Sequence, residues 1–291
     1  MRPLLSAALV TAALVALSGC ASADPRPASA PTGEARSAPA TGVLATETTV
    51  GITLPPVGTG FDYQLGGASP VPAGAGIVVR DSTDEPAAGA YGVCYVNGFQ
   101  TQPGETWPDD LLVRGDDGPL VDPNWDDEFL LDTSTAAKRT AIAARQATAV
   151  DRCADAGFQA VEFDNLDSWN RSEGALDEDD ALALATLLVD HAHGRGLAVA
   201  QKNTTDIGAR GRDEAGFDFA IAEECDRWKE CAAYTAVYGP HVLDVEYTDD
   251  LRDTVEGACA RILALDPAPR AIVRDRDLVP ASEDGYAFAA C

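Results

Sequence analysis

The chain is expected to fold as an α/β protein, a (β/α)8 TIM barrel with irregular first βα units. Three observations predict this. Short apolar runs recur at even intervals, helical stretches alternate with them from Ala136 onward, and the runs number eight, which suits a closed barrel better than an open sheet. The stretch able to fold, residues 55–291, is about 240 residues long, the usual length of one such barrel.

Residues 1–19 precede the fold. Arg2 gives a positive start, and Leu4 to Leu17 is a nearly unbroken apolar stretch. It is too short and too alanine-rich to span a bilayer and reads as an export signal. It ends Leu17-Ser18-Gly19-Cys20, which resembles a bacterial lipobox. That would put a lipid on Cys20 and hold the protein at the outer face of the cell membrane; an ordinary signal peptide and a secreted product are the alternative. Residues 20–54, rich in Ala, Pro, Ser, Thr and Gly, cannot bury a core and read as a disordered tether.

Within 55–291 the expected strands are Phe61–Leu65, Ile77–Val79, Tyr91–Val96, Phe158–Phe163, Leu197–Ala200, Phe217–Ala222, Val242–Val245 and Ala271–Val273. The first two connections are too short for full helices. Phe99–Leu131 is a long loop carrying Trp107, Trp125 and several Asp, and long loops after barrel strands build binding clefts. A helix is expected over Ala136–Ala156, closed by Gly157, and another over Asp177–Gly194. In the second, Asp177 caps the start and Leu182, Leu184, Leu187 and Leu188 supply the apolar face. His191 and His193 lie near the negative end of its dipole, which accounts for them without metal ligation.

The formal charge is -26. Up to residue 54, Arg2, Arg26 and Arg36 cancel Asp24, Glu34 and Glu47, so the whole of it belongs to the folded domain. No Lys/Arg cluster exists, which excludes nucleic acid as a partner. Such a field favours cationic ligands, though a generally acidic surface for solubility is the bland alternative. A monomer is expected. Setting Cys20 aside leaves six cysteines, an even number that suggests disulfides in an exported chain. Cys225 and Cys231 flank a short loop and are the first pairing; Cys259 with Cys291 would leave Cys94 for Cys153. Neither metal nor cofactor is expected, since zinc-like Cys/His spacing, a glycine-rich phosphate loop and a G-x-S-x-G nucleophile setting are all missing.

The chemistry is expected at the carboxyl ends of the strands, which converge on one face of a barrel. Strand four runs into Asp164, Asn165 and Asp167, strand five into Gln201, Lys202 and Asn203, and strand six into Glu223 and Glu224. Strand seven carries Asp244, Glu246 and Tyr247, and strand eight ends in Arg274 and Asp275. Five polar strand ends in a row are hard to explain by packing. Two carboxyl groups facing across a cleft can cleave a glycosidic bond if one holds a proton and the other is ionised, and crowding splits their pKa values. A divalent cation is the competing use of the same acids, but Lys202 and Arg274 would oppose it.

Five motifs carry a family resemblance. F-D-Y-Q-L-G-G at 61–67, A-V-E-F-D-N-L-D-S-W at 160–169, A-H-G-R-G-L-A-V-A-Q-K-N at 192–203, F-A-I-A-E-E-C at 219–225 and D-V-E-Y at 244–247, in order, resemble glycoside hydrolase family 114, the endo-α-1,4-polygalactosaminidases. The resemblance implies hydrolysis of α-1,4-linked galactosamine polymers by an Asp after strand four and a Glu after strand six, matching Asp164 and Glu223. One departure bears on the second residue, since the family often has Asn-Glu-Gln-Cys where this chain has Ala222-Glu223-Glu224-Cys225. Alignment to the cysteine picks Glu223. Side-chain alternation picks Glu224, because Phe217, Phe219 and Ile221 are expected to face the helices.

A polycationic amino-sugar polysaccharide suits the acidic domain. Asp62, Asp167 and Glu246 are expected to bind its ammonium groups, and Tyr95, Trp169 and Tyr247 to pack on sugar faces. Asn165, Lys202 and Asn203 would orient the catalytic carboxyls, and Glu224 would join the binding set. The expected reaction is retaining, with Asp164 as nucleophile and Glu223 as acid/base. A lipid-anchored protein that binds such a polysaccharide without cutting it is the alternative.

Overall fold

The structure is a computed structural model that describes residues 51–291. The expected export signal, Cys20 and nearly all of the expected tether lie outside the described residues.

Eight parallel strands run in sequence order: β1 (Gly60–Gln64), β2 (Ala75–Asp81), β3 (Tyr91–Asn97), β4 (Ala160–Asp164), β5 (Ala198–Lys202), β6 (Phe219–Glu223), β7 (Val242–Tyr247) and β8 (Arg270–Arg274). A ninth, β9 (Phe288–Ala290), pairs antiparallel with β8. Alternate side chains fill a barrel interior: Phe61, Tyr63, Ile77, Val79, Val93, Ala160, Ala198, Ala200, Phe219, Ile221, Leu243, Val245 and Ile272 form one buried cluster drawn from all eight strands. The alternate set, including Val96, Val161, Phe163 and Val199, packs outward against the helices. This is the TIM-barrel architecture the strand spacing predicts. It reverses one expectation: Phe219 and Ile221 face the interior, so Glu223 at the end of the same strand also points inward.

The strands outrun the apolar runs at their carboxyl ends. The runs expected to stop at Ala200, Ala222 and Val273 continue as strand to Lys202, Glu223 and Arg274. Ladder pairing extends to these residues too, with Lys202 opposite Ile221 and Glu223 opposite Val245. The polar groups are therefore held by the sheet and not by loops.

The long helices are α1 (Ala136–Ala156) and α2 (Glu178–Gly194). Thr135 caps α1 by accepting from the Lys138 amide, and Gly157, left-handed at φ 93°, ends it. Asp177 caps α2 by accepting from Asp180 N at 2.9 Å. Leu182, Leu184 and Leu188 are buried, each stabilising by about 1.5–3 kcal/mol; Leu187 is exposed instead. Short helices α3 (Cys225–Trp228), α4 (Cys231–Tyr238) and α5 (Val255–Leu263) complete the ring. No helix occupies the first two connections, as their length requires. His191 and His193 meet Asp151 and Asp218 at 2.9 and 2.8 Å.

Where β1 and β8 meet, side chains close the barrel. Arg274 donates to Asp62 Oδ1 at 2.8 Å and also to the Tyr63 carbonyl. The following loops pack so closely that a Cβ on Gly66 would lie 2.6 Å from the Leu278 carbonyl oxygen, which only glycine allows. Three disulfides, Cys94–Cys153, Cys225–Cys231 and Cys259–Cys291, staple β3 to α1, the α3–α4 turn, and α5 to the last residue. They are characteristic of a protein folded outside the reducing cytosol. No helix among the described residues is long and apolar enough to cross a membrane.

Candidate active site

Three consecutive strands present their last residue in the same way. Asp164 ends β4, Lys202 ends β5 and Glu223 ends β6, each on the inner face. The next residue is left-handed in each case: Asn165 at φ 63°, Asn203 at φ 48° and Glu224 at φ 62°. Asparagine tolerates this conformation, whereas a glutamate there costs roughly 1 kcal/mol or more. The turn at Asn165 folds its amide back onto Asp164 Oδ1 at 2.7 Å.

Lys202 is the centre of the site. Its side chain is 2% exposed, and Nζ lies 3.1 Å from Glu162 Oε1, 3.3 Å from Asp164 Oδ1 and 3.2 Å from Glu223 Oε2. It also donates to the Tyr63 hydroxyl at 3.1 Å. Burial alone would strip its proton, but the carboxylates of Asp164 and Glu223, foremost among its neighbours, hold its pKa well above the ordinary value. Ala160, Ala198 and Ala200 on the inner face leave room for this long side chain.

Each catalytic candidate is held by a tyrosine and an amide. Tyr95 donates to Asp164 Oδ2 at 2.7 Å. Burial raises the Asp164 pKa; Lys202 first, then the Tyr95 and Asn165 bonds, outweigh it and leave Asp164 below the usual carboxylate range. Tyr247 donates to Glu223 Oε1, and Asn203 Nδ2 donates to Oε2 at 3.1 Å while Asn203 Oδ1 accepts from the Glu223 amide at 2.7 Å. Asp164 is thus fixed as an anion. Glu223 faces the same cleft with donors on both oxygens.

The cleft above them has a volume of about 700 Å³. One wall is the loop between β3 and α1. Arg171, in the segment after β4, donates to Asp122 Oδ2 of that loop at 2.6 Å and to Asp167 Oδ2 at 2.9 Å and Asn165 Oδ1 at 3.0 Å, locking the loop to the end of β4. Trp125 stands 60% exposed on this wall. Glu128 accepts from Asn97 at 2.8 Å, and burial lifts its pKa to about 7. The other wall includes Glu224, which accepts from Arg276 at 2.7 Å, with the Arg276 guanidinium 4.2 Å above the Tyr247 ring.

The cleft brings together Tyr95, Asp164, Asn165, Asp167, Lys202, Glu223, Glu224 and Tyr247. Two residues expected to bind ammonium groups lie elsewhere. Asp62 points away from the barrel interior, fully buried against Arg274 and Gln64, because Phe61 and Tyr63 take the inner positions on β1. Glu246 lies on the outer face of β7, where it accepts from the Asp226 amide at 2.7 Å, because Val245 and Tyr247 take the inner positions there. Tyr95 and Tyr247 hold carboxylates through their hydroxyls, and Trp169 packs in the outer core instead of on the cleft.

Sequence reading passed over Glu162, Tyr63, Glu128, Arg171 and Arg276. Glu162 had a signal: Ala160, Glu162 and Asp164 share one face of β4. Among the described residues, the one group of potential metal ligands close enough to share an ion is Cys225, Cys231 and Asp244, and both of its sulfurs are joined in a disulfide. An ionised carboxylate and a second carboxyl group on one cleft floor are the equipment for acid-assisted displacement at a sugar carbon.

A model of glycoside-hydrolase family GH114 matches residues 42–291. No curated protein matches. Among solved structures, Ega3 of Aspergillus fumigatus in complex with galactosamine is similar, with TM-score 0.67 and 20% identity over 84% of this chain and 99% of that one. The glycoside hydrolase domain of PelA from Pseudomonas aeruginosa is similar at TM-score 0.51 and 14% identity, over 75% and 95%. A substituted form of that domain gives 0.53 and 16% over the same shares. These likenesses show a shared fold.

Proposed function

The chain belongs to glycoside hydrolase family 114 and is a glycosidase; on that premise we propose that it cuts α-1,4-linked galactosamine polymers at internal bonds with retention of configuration. One observation carries the reading: Asp164, held as an anion, and Glu223 approach the same lysine from two strand ends. The 3.3 and 3.2 Å legs to Nζ limit the gap between those two oxygens to about 6.5 Å, which favours the close spacing of a double displacement over the wider spacing of inversion.

Asp164 attacks the anomeric carbon while Glu223 protonates the departing glycosidic oxygen. Glu223 then takes a proton from the water that releases the glycosyl-enzyme. Tyr95 and the Asn165 amide keep Asp164 oriented, and Tyr247 and Asn203 do the same for Glu223. Protonated polygalactosamine is a polycation. The charge of -26 attracts it, and Asp167, Glu128 and Glu224 on the cleft walls offer partners for its ammonium groups. The galactosamine in the Ega3 complex supports the same sugar class.

We further propose that Cys20 carries a lipid and residues 20–54 tether a monomeric barrel at the outer membrane face. A Cys20→Ser form should then leave the membrane fraction for the soluble one. The activity is tested by incubating the protein with deacetylated and N-acetylated α-1,4-galactosaminan and reading the products by mass spectrometry. A ladder of oligosaccharides from the deacetylated polymer is expected, retained in configuration by NMR. Binding without products would instead make the protein a capture module for cationic polysaccharide.

A further inference from the structure

Glu162 lies beneath the catalytic pair and has no accessible surface. Its Oε1 accepts from the Tyr63 hydroxyl at 2.8 Å and sits 3.1 Å from Lys202 Nζ; its Oε2 is buried with no partner. It cannot touch a sugar. The charges around it do not balance. Glu162, Asp164 and Glu223 face one ammonium. Tyr63 from β1, Tyr95 from β3 and Tyr247 from β7 complete the surroundings, and burial, as the main cause, keeps all three phenols neutral. The nearest other cations are committed, Arg274 to Asp62 and the Tyr63 carbonyl, Arg276 to Glu224 and Asp249.

Lys202 has three N–H bonds and one charge. With Asp164 ionised, one carboxyl group of the remaining two must hold a proton, since two uncompensated anions in a buried cluster repel strongly. We propose that Glu162 and Glu223 share one proton across Lys202, so that Glu162 serves as the buried store that keeps the acid/base supplied. This rests on the reading of Glu223 as acid/base and makes Glu162 a positioning residue for its proton.

The route is drawn by hydrogen bonds. Glu162 meets Tyr63, Tyr63 meets Lys202, and Lys202 meets Glu223 at 3.2 Å. Because Lys202 and Tyr63 are the donors at rest, transfer begins at Nζ, which gives a proton to Glu223. The neutral amine then accepts the Tyr63 hydroxyl proton and the Tyr63 oxygen accepts the proton of Glu162, each hydrogen bond reversing as its proton moves. The net change is a single proton moved, with no other reactant. The stored proton rests on the unpartnered Oε2, because Oε1 accepts from Tyr63, and a turn of the carboxyl group presents it to the Tyr63 oxygen. Burial first, with Asp164 and Glu223 adding, lifts Glu162 to about 7 against the pull of Lys202 and Tyr63. The store therefore stays filled where an ordinary glutamate would have emptied.

The test is the pH profile of kcat/KM on deacetylated galactosaminan for the full chain and Glu162→Gln. Glutamine keeps the shape but cannot share a proton, so the alkaline limb should move down by about 1 pH unit or more, with the acid-side rate little changed. A uniform fall in rate with an unmoved limb would overturn the proposal, because that is what lost packing does. Tyr63→Phe removes the donor that supports ionised Glu162 and should move the limb the same way by less, which covers the case that Glu162→Gln does not fold.

A second readout needs no substrate. Between about pH 4.5 and about 7 the folded protein holds a proton at Glu162 that the unfolded chain has lost, so stability falls as pH rises through that window. Glu162→Gln, or Tyr63→Phe in its place, should change that slope, and an unchanged slope in both overturns the proposal. If Glu223→Gln keeps full activity, the acid/base reading fails while the unfolding curve still reports on Glu162.

Discussion

Two groups of buried acids lie on opposite faces of the same sheet, and one has a cation while the other does not. On the inner face Glu162, Asp164 and Glu223 surround Lys202. On the outer face of β7, Asp244 Oδ1 accepts from the Cys225 amide at 3.1 Å and Glu246 Oε1 from the Asp226 amide at 2.7 Å. The arginines nearest that side, Arg252 and Arg261, bind Asp226 instead. Burial pushes Asp244 well above the usual carboxylate range and raises Glu246, whereas Lys202 pulls Asp164 below it. On the proposed mechanism, a strand-end acid can serve as nucleophile when its parity turns it into the barrel mouth and a buried cation keeps it ionised. One position along the strand, the same residue type clamps a turn.

The sharpest way to break this contrast is to neutralise Asp164, the proposed nucleophile. Asp164→Asn should lower kcat on the order of 10⁴-fold. It should also lower the melting temperature at neutral pH, since Lys202, Tyr95 and the Asn165 amide favour the ionised form. The drop should be smaller than on loss of Lys202, because the lysine keeps Glu162 and Glu223 as partners. Lys202→Met removes the cation and makes the inner cluster resemble the outer one. Asp164 then loses its reason to ionise, and kcat/KM at pH 6 should fall about 100-fold. Removing one partner from buried ion pairs should also cost about 3–5 kcal/mol, read by thermal unfolding. Full stability in Lys202→Met would mean that the three carboxyl groups are protonated without it.

Asp62 separates the two conditions. It has a buried cation, Arg274 at 2.8 Å, but faces away from the barrel interior. Asp62→Asn should lose about 3 kcal/mol of stability, because the buried Arg274 guanidinium at the β1–β8 seam is left with only the longer 3.5 Å pairing to Asp275. At a temperature where the variant is folded, kcat should stay within a few-fold of the parent. A large kcat loss there would show that parity is not needed and that any ion pair near the mouth serves the chemistry.

Parity is also where the sequence was hardest to read. The order of strands and helices was legible because apolar runs and caps are local signals; Gly157 and Asp177 each mark a helix end as expected. Asp164, Lys202 and Glu223 were legible because they follow such runs directly. Which face each strand end presents was not. In a sheet buried on both sides, Phe219 and Ala220 are equally apolar, so alternation gives no sign of which points inward. The same ambiguity placed Asp62 and Glu246 in the cleft and turned Phe219 and Ile221 toward the helices. Glu162 escaped notice because it lies inside a run that reads as hydrophobic. Arg276 and Arg171 escaped because loop residues reach the site through tertiary contacts that leave no periodic trace.

The outer pair yields the smallest and most specific test. Asp244 Oδ2 is buried without a donor; burial first, with Glu246 adding, raises Asp244, whereas Glu246 is raised by burial and by Asp226 against the opposing pull of its contact with Asp244. Both pKa values lie above those of the unfolded chain, so the folded state binds more protons and stability is lost as pH rises from about 4 through the folded values. Asp244→Asn imitates the protonated acid. Its carbonyl can still accept from the Cys225 amide, and its NH₂ can face Glu246. The variant should match the parent in acid, exceed it by about 1 kcal/mol at pH 8, and cut substrate at the parental rate. A stability loss at pH 8 would mean that Asp244 is ionised after all, held by the turn's amides alone, and the distinction between the two clusters would then rest on parity and not on charge.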